Sequence, residues 1–191
     1  MRHDDDGSTV SLWMATSDVP TFAPLQDDLD ADVVVVGAGI AGLTTAYLLA
    51  CDGRSVVVLD DGSIGGGQTK RTTAHLASAL DDRFTRLEHL HGTEGARLAW
   101  QSHVAAIDRI EAIVRAEQIE CGFERLDGFL CRGEGEDLVT LEREFDATQR
   151  AGYATVELLE HAPIAGLEGP CLRFPDQAQF HPLRYLAGLA R

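Results

Sequence analysis

The strongest constraint on the fold is a short β-branched run that leads directly into a glycine-rich turn. The run is Val33–Val36, and a strand of this composition is typical of a parallel sheet covered on both faces. Apolar residues then recur at helical spacing as far as Gly53, where glycine predicts the end of a helix. A second β-branched strand follows over residues 55–60. This strand–turn–helix–strand unit of about 30 residues predicts an α/β protein with a Rossmann-like fold.

Each glycine of the turn has a separate role in binding a dinucleotide. Gly37 permits the tight turn out of the strand, Gly39 leaves room for a pyrophosphate, and Gly42 lets the helix pack closely on the sheet. The helix begins near Ile40 and Ala41, whose backbone N–H groups and positive dipole end would face the phosphates. We therefore expect this turn to bind a dinucleotide.

An acidic residue at the end of the second strand points to the ribose. Asp60 lies 18 residues beyond Gly42, where a carboxylate accepts hydrogen bonds from ribose hydroxyls and disfavours the 2′-phosphate of NADP. Asp61 is the alternative if the strand register is shifted by one residue. The motif alone leaves FAD and NAD open.

Charge and hydropathy exclude several classes of partner. The chain has 16 basic against 31 acidic residues, a formal net charge of −15, which argues against nucleic acid. No run reaches the roughly 18 apolar residues that a membrane span requires, and the first ten residues carry three aspartates rather than a secretory signal. These features predict a cytoplasmic protein that binds neither nucleic acid nor membrane.

The cysteines and histidines do not form a metal-binding pattern. The four cysteines form no CxxC pair, so we predict no zinc or iron–sulfur site; they are Cys51, Cys121, Cys131 and Cys171. We expect each of them to be buried and to pack as a small apolar side chain. The pair His89 and His91 could chelate a metal, but no third ligand is evident, and a solvated helix end is favoured.

A second glycine-rich segment follows the second strand. Its three consecutive glycines exclude regular structure and allow a close backbone approach, its threonines can donate hydrogen bonds, and its arginine can offset phosphate charge. The candidate binding residues here are Gly66, Gly67, Gln68, Thr69, Arg71, Thr72 and Thr73, with His75 after them.

Three stretches together resemble a known family. They are ADVVVVGAGIAGLTTAYLLA, VVVLDDGSIGGGQTKRTTAH and FHPLRYLAGLA, and they are similar to the FAD-dependent amine and amino-acid oxidoreductases related to glycine oxidase and D-amino acid oxidase. The resemblance covers about residues 11–191. It is closest to a bacterial branch whose longer members carry a C-terminal Rieske iron–sulfur domain.

The resemblance implies a cofactor and a reaction. The first turn and Asp60 would hold the ADP half of FAD, while the second glycine segment would run under the pyrophosphate toward the flavin ring. In some relatives a histidine at the position of His75 carries the flavin covalently; a neutral histidine near the ring, or an exposed one, is favoured. The reaction would oxidise a C–N bond of a small-molecule amine or amino acid by hydride transfer to the flavin. No catalytic side chain is identified.

The domain organisation follows from the changes of pattern. We expect a lead and arm over 1–30, an incomplete FAD-binding domain over 31–80 and 161–191, and a helical and strand insertion over 81–160 that contributes to an α+β substrate domain. Within these, the pattern predicts a helix over 80–120, strands over 121–132 and 154–158, a helix over 135–151, a turn-rich stretch over 161–181 and a last helix from Pro182.

The resemblance covers only the N-terminal part of the family. Further parallel strands, the rest of the substrate domain and any Rieske domain would lie beyond Arg191, so we expect residues 1–191 alone to be inactive. Two other interpretations stay open: a fragment of an NAD-linked dehydrogenase, and a non-catalytic subunit or remnant that needs a partner chain. In addition to its substrate, this chain would have the missing C-terminal half or an electron acceptor as a partner.

Overall fold

The structure is a computed structural model that describes residues 9–133, 135, 137–167 and 169–191. Residues 1–8 of the lead and arm expected over 1–30 therefore lie outside the described residues. The helices and strands in chain order are α1 (Leu12–Ala15), β1 (Val33–Val36), α2 (Ile40–Cys51), β2 (Val56–Leu59), a 3₁₀ helix (Gln68–Arg71), β3 (His75–Leu76), α3 (Phe84–Ala116), β4 (Glu124–Cys131), α4 (Leu138–Arg150), β5 (Glu157–Leu159), β6 (Cys171–Gln179) and α5 (Pro182–Leu189).

The described residues form two compact units. The first contains the described part of Met1–Ala74, together with Ile113–Gly122 and Phe180–Arg191; the second contains His75–Ala112 and the described part of Phe123–Gln179. These boundaries differ from those of the expected domains: residues 75–80 and the described part of 161–179 lie in the second unit, and residues 113–122 lie in the first.

The first unit contains the predicted βαβ arrangement. β1 and β2 pair in parallel, with Val33 opposite Val56 and Val36 opposite Leu59, and α2 connects them. Gly53 follows α2 with a φ of +79°, the left-handed conformation that ends a helix. The predicted α/β fold class is confirmed by this parallel crossover.

One face of β1 differs from expectation. Val34 is 56% exposed and Val36 84% exposed, so the prediction of a strand buried on both faces is wrong for the residues described. The reason is that α2 lies on the Val35 face of this two-stranded sheet, where a Cβ atom at Gly42 would come to 3.5 Å from Val35. Side chains at alternate positions of β1 point to opposite faces, so Val34 and Val36 lie on the other face.

The N-terminal arm is ordered in its first part. Trp13 lies in α1, and its indole Nε1 donates a hydrogen bond of 2.8 Å to the carbonyl oxygen of Thr72. Phe22, in contrast, is 68% exposed. Within the arm expected over residues 1–30, Trp13 therefore contacts this unit, whereas Phe22 is largely exposed.

The second unit is built on an antiparallel sheet. β6 pairs with β4 along one edge, and with β3 and β5 in succession along the other. Its core joins the sheet to α3 and α4. The buried core residues are Phe84, Leu87, Ala96, Leu141, Ala147, Ala151, Tyr153, Val156, Leu172 and Phe174.

The prediction of a turn-rich stretch over 161–181 is wrong for residues 171–179. Residues 171–179 form β6, the strand with the most pairing partners in the sheet. Pro175 and Asp176 resemble a turn in the sequence, but here they form an irregularity: Asp176 has a φ of +59°, and the β4 register shifts between Leu126 and Gly128 opposite it. A bulge of this kind accommodates a proline within a strand.

The cysteines are all free thiols. Cys121 and Cys171 are fully buried, as expected, and Cys131 is half-buried, but Cys51 at the end of α2 is exposed, so the expectation is wrong for that residue. Within the described ranges, no helix has both the length and the apolar character needed to cross a lipid bilayer.

Candidate dinucleotide site

The glycine-rich turn lies between the end of β1 and the start of α2. The N–H of Gly37 donates to the carbonyl oxygen of Leu59 at 2.7 Å, which holds the turn against β2. Gly39 is the N-cap of α2, and the helix has neither a side-chain cap nor an acidic residue in its first turn. The N–H groups at this end, including those of Ile40 and Ala41, and the positive end of the helix dipole suit an anionic ligand.

Two glycines of the turn are required by its geometry. Gly37 has a φ of +105°, which disfavours a side chain. At Gly42 a Cβ atom would lie 1.8 Å from the carbonyl oxygen of Gly37, so the first turn of α2 approaches the preceding loop too closely for any other residue. At Gly39 a Cβ atom would come to 3.3 Å from Thr69 Oγ1. The second glycine segment therefore lies beside the glycine-rich turn.

Asp60 contacts the turn through its carboxylate. Its Oδ2 accepts a hydrogen bond of 2.7 Å from the N–H of Ala38, and its Oδ1 accepts one of 2.8 Å from the N–H of Gly62. The side chain of Asp61 is exposed. Of the two aspartates, Asp60 is therefore the one at the glycine turn, and its role toward a ribose stays a prediction.

The second glycine segment is joined to the turn through Gly65. Its N–H donates to the carbonyl oxygen of Ala38 at 2.9 Å. Gly65 is buried at a φ of +66°, and a Cβ atom there would lie 2.6 Å from Leu183 and 3.0 Å from Leu186 of α5. The three consecutive glycines predicted a close backbone approach to a ligand, whereas Gly65 packs against Leu183 and Leu186 in the structure.

The other predicted residues of this segment lie around the 3₁₀ helix. Gly66 and Gly67 precede it; Gln68, Thr69 and Arg71 lie within it; Thr72 and Thr73 follow. Thr69 is half-buried beside the turn, while the side chains of Gln68, Arg71 and Thr73 are exposed. Thr72 is held at both ends, because its carbonyl accepts from Trp13 and its Oγ1 accepts a 3.2 Å bond from the N–H of Ala74.

His75 belongs to the second unit. It lies in β3 opposite Gln179, and its side chain is exposed. Ala74, the residue before it, is buried with a φ of +65°, a strained conformation for a residue with a side chain. The part of His75 in flavin binding stays a prediction.

A cluster around His181 supports the second glycine segment and was not predicted. His181 Nδ1 accepts from the N–H of Arg184 at 3.3 Å as the N-cap of α5, and Nε2 lies 2.9 Å from Thr16 Oγ1. Since Thr16 Oγ1 already donates to Leu12, the ring is assigned as neutral with its proton on Nε2. Burial, followed by the charge of Arg184, lowers the pKa of His181. Trp13 packs edge-on against the ring at 5.0 Å.

The signal that could have found this cluster is local. His181 precedes Pro182, and a side-chain acceptor followed by proline is typical of a helix N-terminus. The contact with Trp13 joins residues 168 positions apart, and no local pattern indicates it.

The second unit contains a separate cavity of about 510 Å³. Its wall is mostly apolar, and Gln177 supplies a polar group whose amide is held by Ser78, Tyr153 and the carbonyl oxygen of Pro175. The main apolar residues of the wall are Leu76, Leu80, Phe84, Leu126, Phe129 and Phe174. Among the residues that the structure describes, no group of three potential metal ligands is present.

Comparison with known proteins finds one family along most of the chain. The family model described as FAD dependent oxidoreductase (DAO) matches residues 32–191. The chain is 33% identical over 179 residues to the putative Rieske 2Fe-2S iron-sulfur protein YhfW of Bacillus subtilis, with 94% of this chain and 35% of that protein covered. It is 30% identical over 153 residues to gamma-glutamylputrescine oxidoreductase of Escherichia coli, with 80% and 36% covered.

Solved structures share the fold. L-amino acid deaminase from Proteus vulgaris superposes with a TM-score of 0.65 at 22% identity, covering 91% of this chain and 40% of that one. Glycine oxidase from Geobacillus kaustophilus gives 0.62 at 21% identity, with 84% and 43% covered. The chain thus spans between 35% and 43% of the length of these four proteins.

Proposed function

Since the chain belongs to the DAO family of FAD-dependent oxidoreductases, we propose that its first unit holds the ADP half of FAD and that the protein oxidises a C–N bond of a small-molecule amine or amino acid. The family predicted from three sequence motifs is confirmed, and its FAD dependence decides against the NAD-linked interpretation.

The observation that carries the proposal is the position of the Asp60 carboxylate beside an uncapped helix N-terminus. Asp60 accepts from the N–H of Ala38, inside the glycine turn, while the first turn of α2 presents its N–H groups at the same end of β1. A carboxylate for ribose hydroxyls and a helix dipole for phosphates are the two features that an ADP moiety requires. The residues present therefore fit this half of FAD.

The second glycine segment is proposed to continue the binding surface. Thr69 lies beside Gly39, so its hydroxyl can donate to the pyrophosphate that passes the turn. Gly66 is half-buried against Ser63, whereas Gly67 is exposed and leaves the backbone accessible. Exposed donors extend along the segment at Gln68, Arg71 and Thr73. Thr72 and Trp13 hold this segment in place through their hydrogen bond.

The chain's own residues bind and orient, and the cofactor carries the redox chemistry. When bound, FAD supplies a hydride acceptor for the carbon next to the amine nitrogen. We propose the second unit as part of the substrate domain, because its cavity has an apolar wall suited to the carbon skeleton of an amine. Gln177, fixed by three hydrogen bonds, is an oriented polar group in that wall.

The names of the relatives support this substrate class. Gamma-glutamylputrescine oxidoreductase, L-amino acid deaminase and glycine oxidase act on amines or amino acids by name. The Rieske relative supports an iron–sulfur carrier as an alternative electron acceptor to oxygen. We also propose a cytoplasmic location, supported by four free thiols, since stable disulfides are rare in that compartment.

The first test asks which dinucleotide the first unit binds, independently of any substrate. The purified chain is titrated with FAD and, as the comparator, with NADH, and binding is followed by flavin fluorescence and by calorimetry. We expect saturable binding of FAD only. Binding of NADH in place of FAD, or of neither, would overturn the assignment of the first unit.

The second test addresses the reaction. The complete gene product, loaded with FAD, is mixed anaerobically with a panel of amines and amino acids, and loss of the flavin absorption near ~450 nm is recorded. Bleaching by a member of the panel is expected. FAD binding without bleaching by any amine or amino acid would reject the substrate class while leaving the binding site intact.

A further inference from the structure

Two cysteines far apart in the chain are direct neighbours in the sheet of the second unit. In the antiparallel pairing of β4 with β6, Cys131 lies opposite Cys171, so their side chains project from the same face of the sheet. Residues directly opposite each other in an antiparallel pair have Cα atoms about 4.5–5.5 Å apart. A disulfide requires about 4.4–6.8 Å, so the Cα separation of such a pair lies within the range of a disulfide.

The two thiols differ in access. Cys171 is fully buried, because β6 lies between β4 and β5 and Leu159 is its partner on the other side. Cys131, the last residue of β4, is half-buried. Burial and the neighbouring Cys131 raise the pKa of Cys171. A reagent from solvent therefore reaches Cys131 first.

We propose that Cys131 and Cys171 form a redox-modification site, at which a hydroperoxide converts the two thiols into an intramolecular disulfide. The Cys131 sulfur attacks the peroxide, the O–O bond breaks, and Cys131 becomes a sulfenic acid while the peroxide leaves as water or an alcohol. The Cys171 sulfur then attacks the Cys131 sulfur, the S–O bond breaks, and the leaving hydroxide takes the Cys171 proton and is released as water. The two thiols lose two electrons in all, and the peroxide gains them.

The fold brings together two cysteines that are not the closest pair in the sequence. Cys121 and Cys131 are separated by ten positions in the chain, whereas Cys131 and Cys171 are separated by forty. In an unfolded chain the shorter loop closes more easily. In the structure Cys121 is buried in the first unit, and the β4–β6 register gives Cys131 a different neighbour. A disulfide between Cys131 and Cys171 is therefore a signature of the folded sheet.

The bridge would tie the last residue of β4 to the first residue of β6. The loop that it closes contains α4 and β5, both of which belong to the second unit. Because closing a loop of this length restricts the unfolded chain, we expect the oxidised protein to melt about 5–15 °C above the reduced protein. The proposal does not depend on the flavin chemistry proposed above, since the oxidant is added from outside.

The test oxidises the folded chain with hydrogen peroxide and maps the product. We expect the intact mass to fall by two hydrogens, two of the four thiols to be lost, and a tryptic disulfide peptide joining Cys131 to Cys171. Dithiothreitol should restore both thiols and the original melting temperature. Oxidation in guanidinium should instead favour the bridge between Cys121 and Cys131.

Matched variants identify the residues. Cys51→Ala removes the exposed thiol and should leave the mass change and the rise in melting temperature intact. Cys131→Ala and Cys171→Ala should each abolish both, and near-UV circular dichroism of the reduced variants checks their packing. A folded-state disulfide that involves Cys51 or Cys121, or addition of two oxygens to Cys131 without a bridge, would overturn the proposal.

Discussion

The carboxylate of Asp60 accepts a hydrogen bond from the backbone N–H of Ala38, with 2.7 Å between Asp60 Oδ2 and the nitrogen. This contact links the end of β2 to the turn that follows β1. The second oxygen of Asp60 holds the N–H of Gly62 in the next loop. One side chain thus shapes both loops of the proposed nucleotide site and presents its negative charge there.

Replacing Asp60 should weaken FAD binding more than replacing its neighbour. We expect Asp60→Ala to reduce the free energy of binding by about 1–3 kcal/mol, the range for a lost charge-assisted hydrogen bond. Asp61→Ala, an exposed neighbour, is the matched control and should have a much smaller effect. Fluorescence titration with FAD measures both. The opposite ranking would mean that the ribose lies at Asp61.

Gly39→Val should abolish dinucleotide binding and leave the unit folded. The branched side chain would occupy the space proposed for the pyrophosphate, next to Thr69 Oγ1. Far-UV circular dichroism and the melting temperature should stay close to those of the wild type. An unchanged FAD affinity in this variant would show that the cofactor does not pass over Gly39.

Gly42→Ala should destabilise the first unit itself. The added Cβ atom would lie 1.8 Å from the carbonyl oxygen of Gly37, so α2 must move away from the turn, and we expect a loss of about 1–3 kcal/mol or more in the free energy of unfolding. Gly62→Ala is the control, because its Cβ atom would meet Asp60 Oδ1 at an ordinary 3.6 Å. Urea denaturation distinguishes the two variants, and equal midpoints would contradict this geometry.

Glu144 should be a main stabilising residue of the second unit. The residue is 1% exposed, and its carboxylate accepts from the N–H groups of Phe84 and Thr85 and from Thr85 Oγ1. It therefore caps the start of α3 from a neighbouring helix. Glu144→Ala leaves buried donors without an acceptor and should cost about 2–4 kcal/mol. Glu142→Ala, exposed on the same helix, should change the unfolding free energy little. Similar losses for both would refute the capping role.

The His181 cluster should make the first unit less stable in mild acid. The pKa of His181 is lowered in the folded protein, so as the pH falls the unfolded chain takes up this proton before the folded chain does. This contribution to stability is complete above the unfolded pKa of about 6.5 and is lost as the pH falls below it. The melting temperature should therefore fall between about pH 7.5 and about pH 5.5.

Variants assign that pH response. His181→Asn retains a side-chain acceptor for the N–H of Arg184 and cannot titrate, so its melting temperature should vary less over the same range. His161→Asn replaces an exposed histidine and should keep the response of the wild type. A His181→Asn protein with the full wild-type response would locate the titrating group elsewhere.

The residues of the βαβ unit were predictable because each of their signals is local. The Val33–Val36 run, the glycine spacing and the acid after β2 depend on neighbours within about 30 residues. β6 was not predictable in the same way, since Pro175 and Asp176 carry local turn signals that the pairing with β4 overrides. The same applies to the exposure of Val34, which depends on what covers the sheet.

The sequence by itself determined the family, the parallel crossover and the position of the acid at the glycine turn, because backbone sterics and hydrophobic periodicity act over a few turns of chain. Only the tertiary structure decided that Gly65 packs against α5 and that Trp13 donates to the carbonyl of Thr72. It also decided that Cys131 lies opposite Cys171, although Cys121 is closer to Cys131 in the sequence. These contacts join residues from 40 to about 120 positions apart. Their partners are set by strand register and helix docking, which depend on burying the whole of each unit.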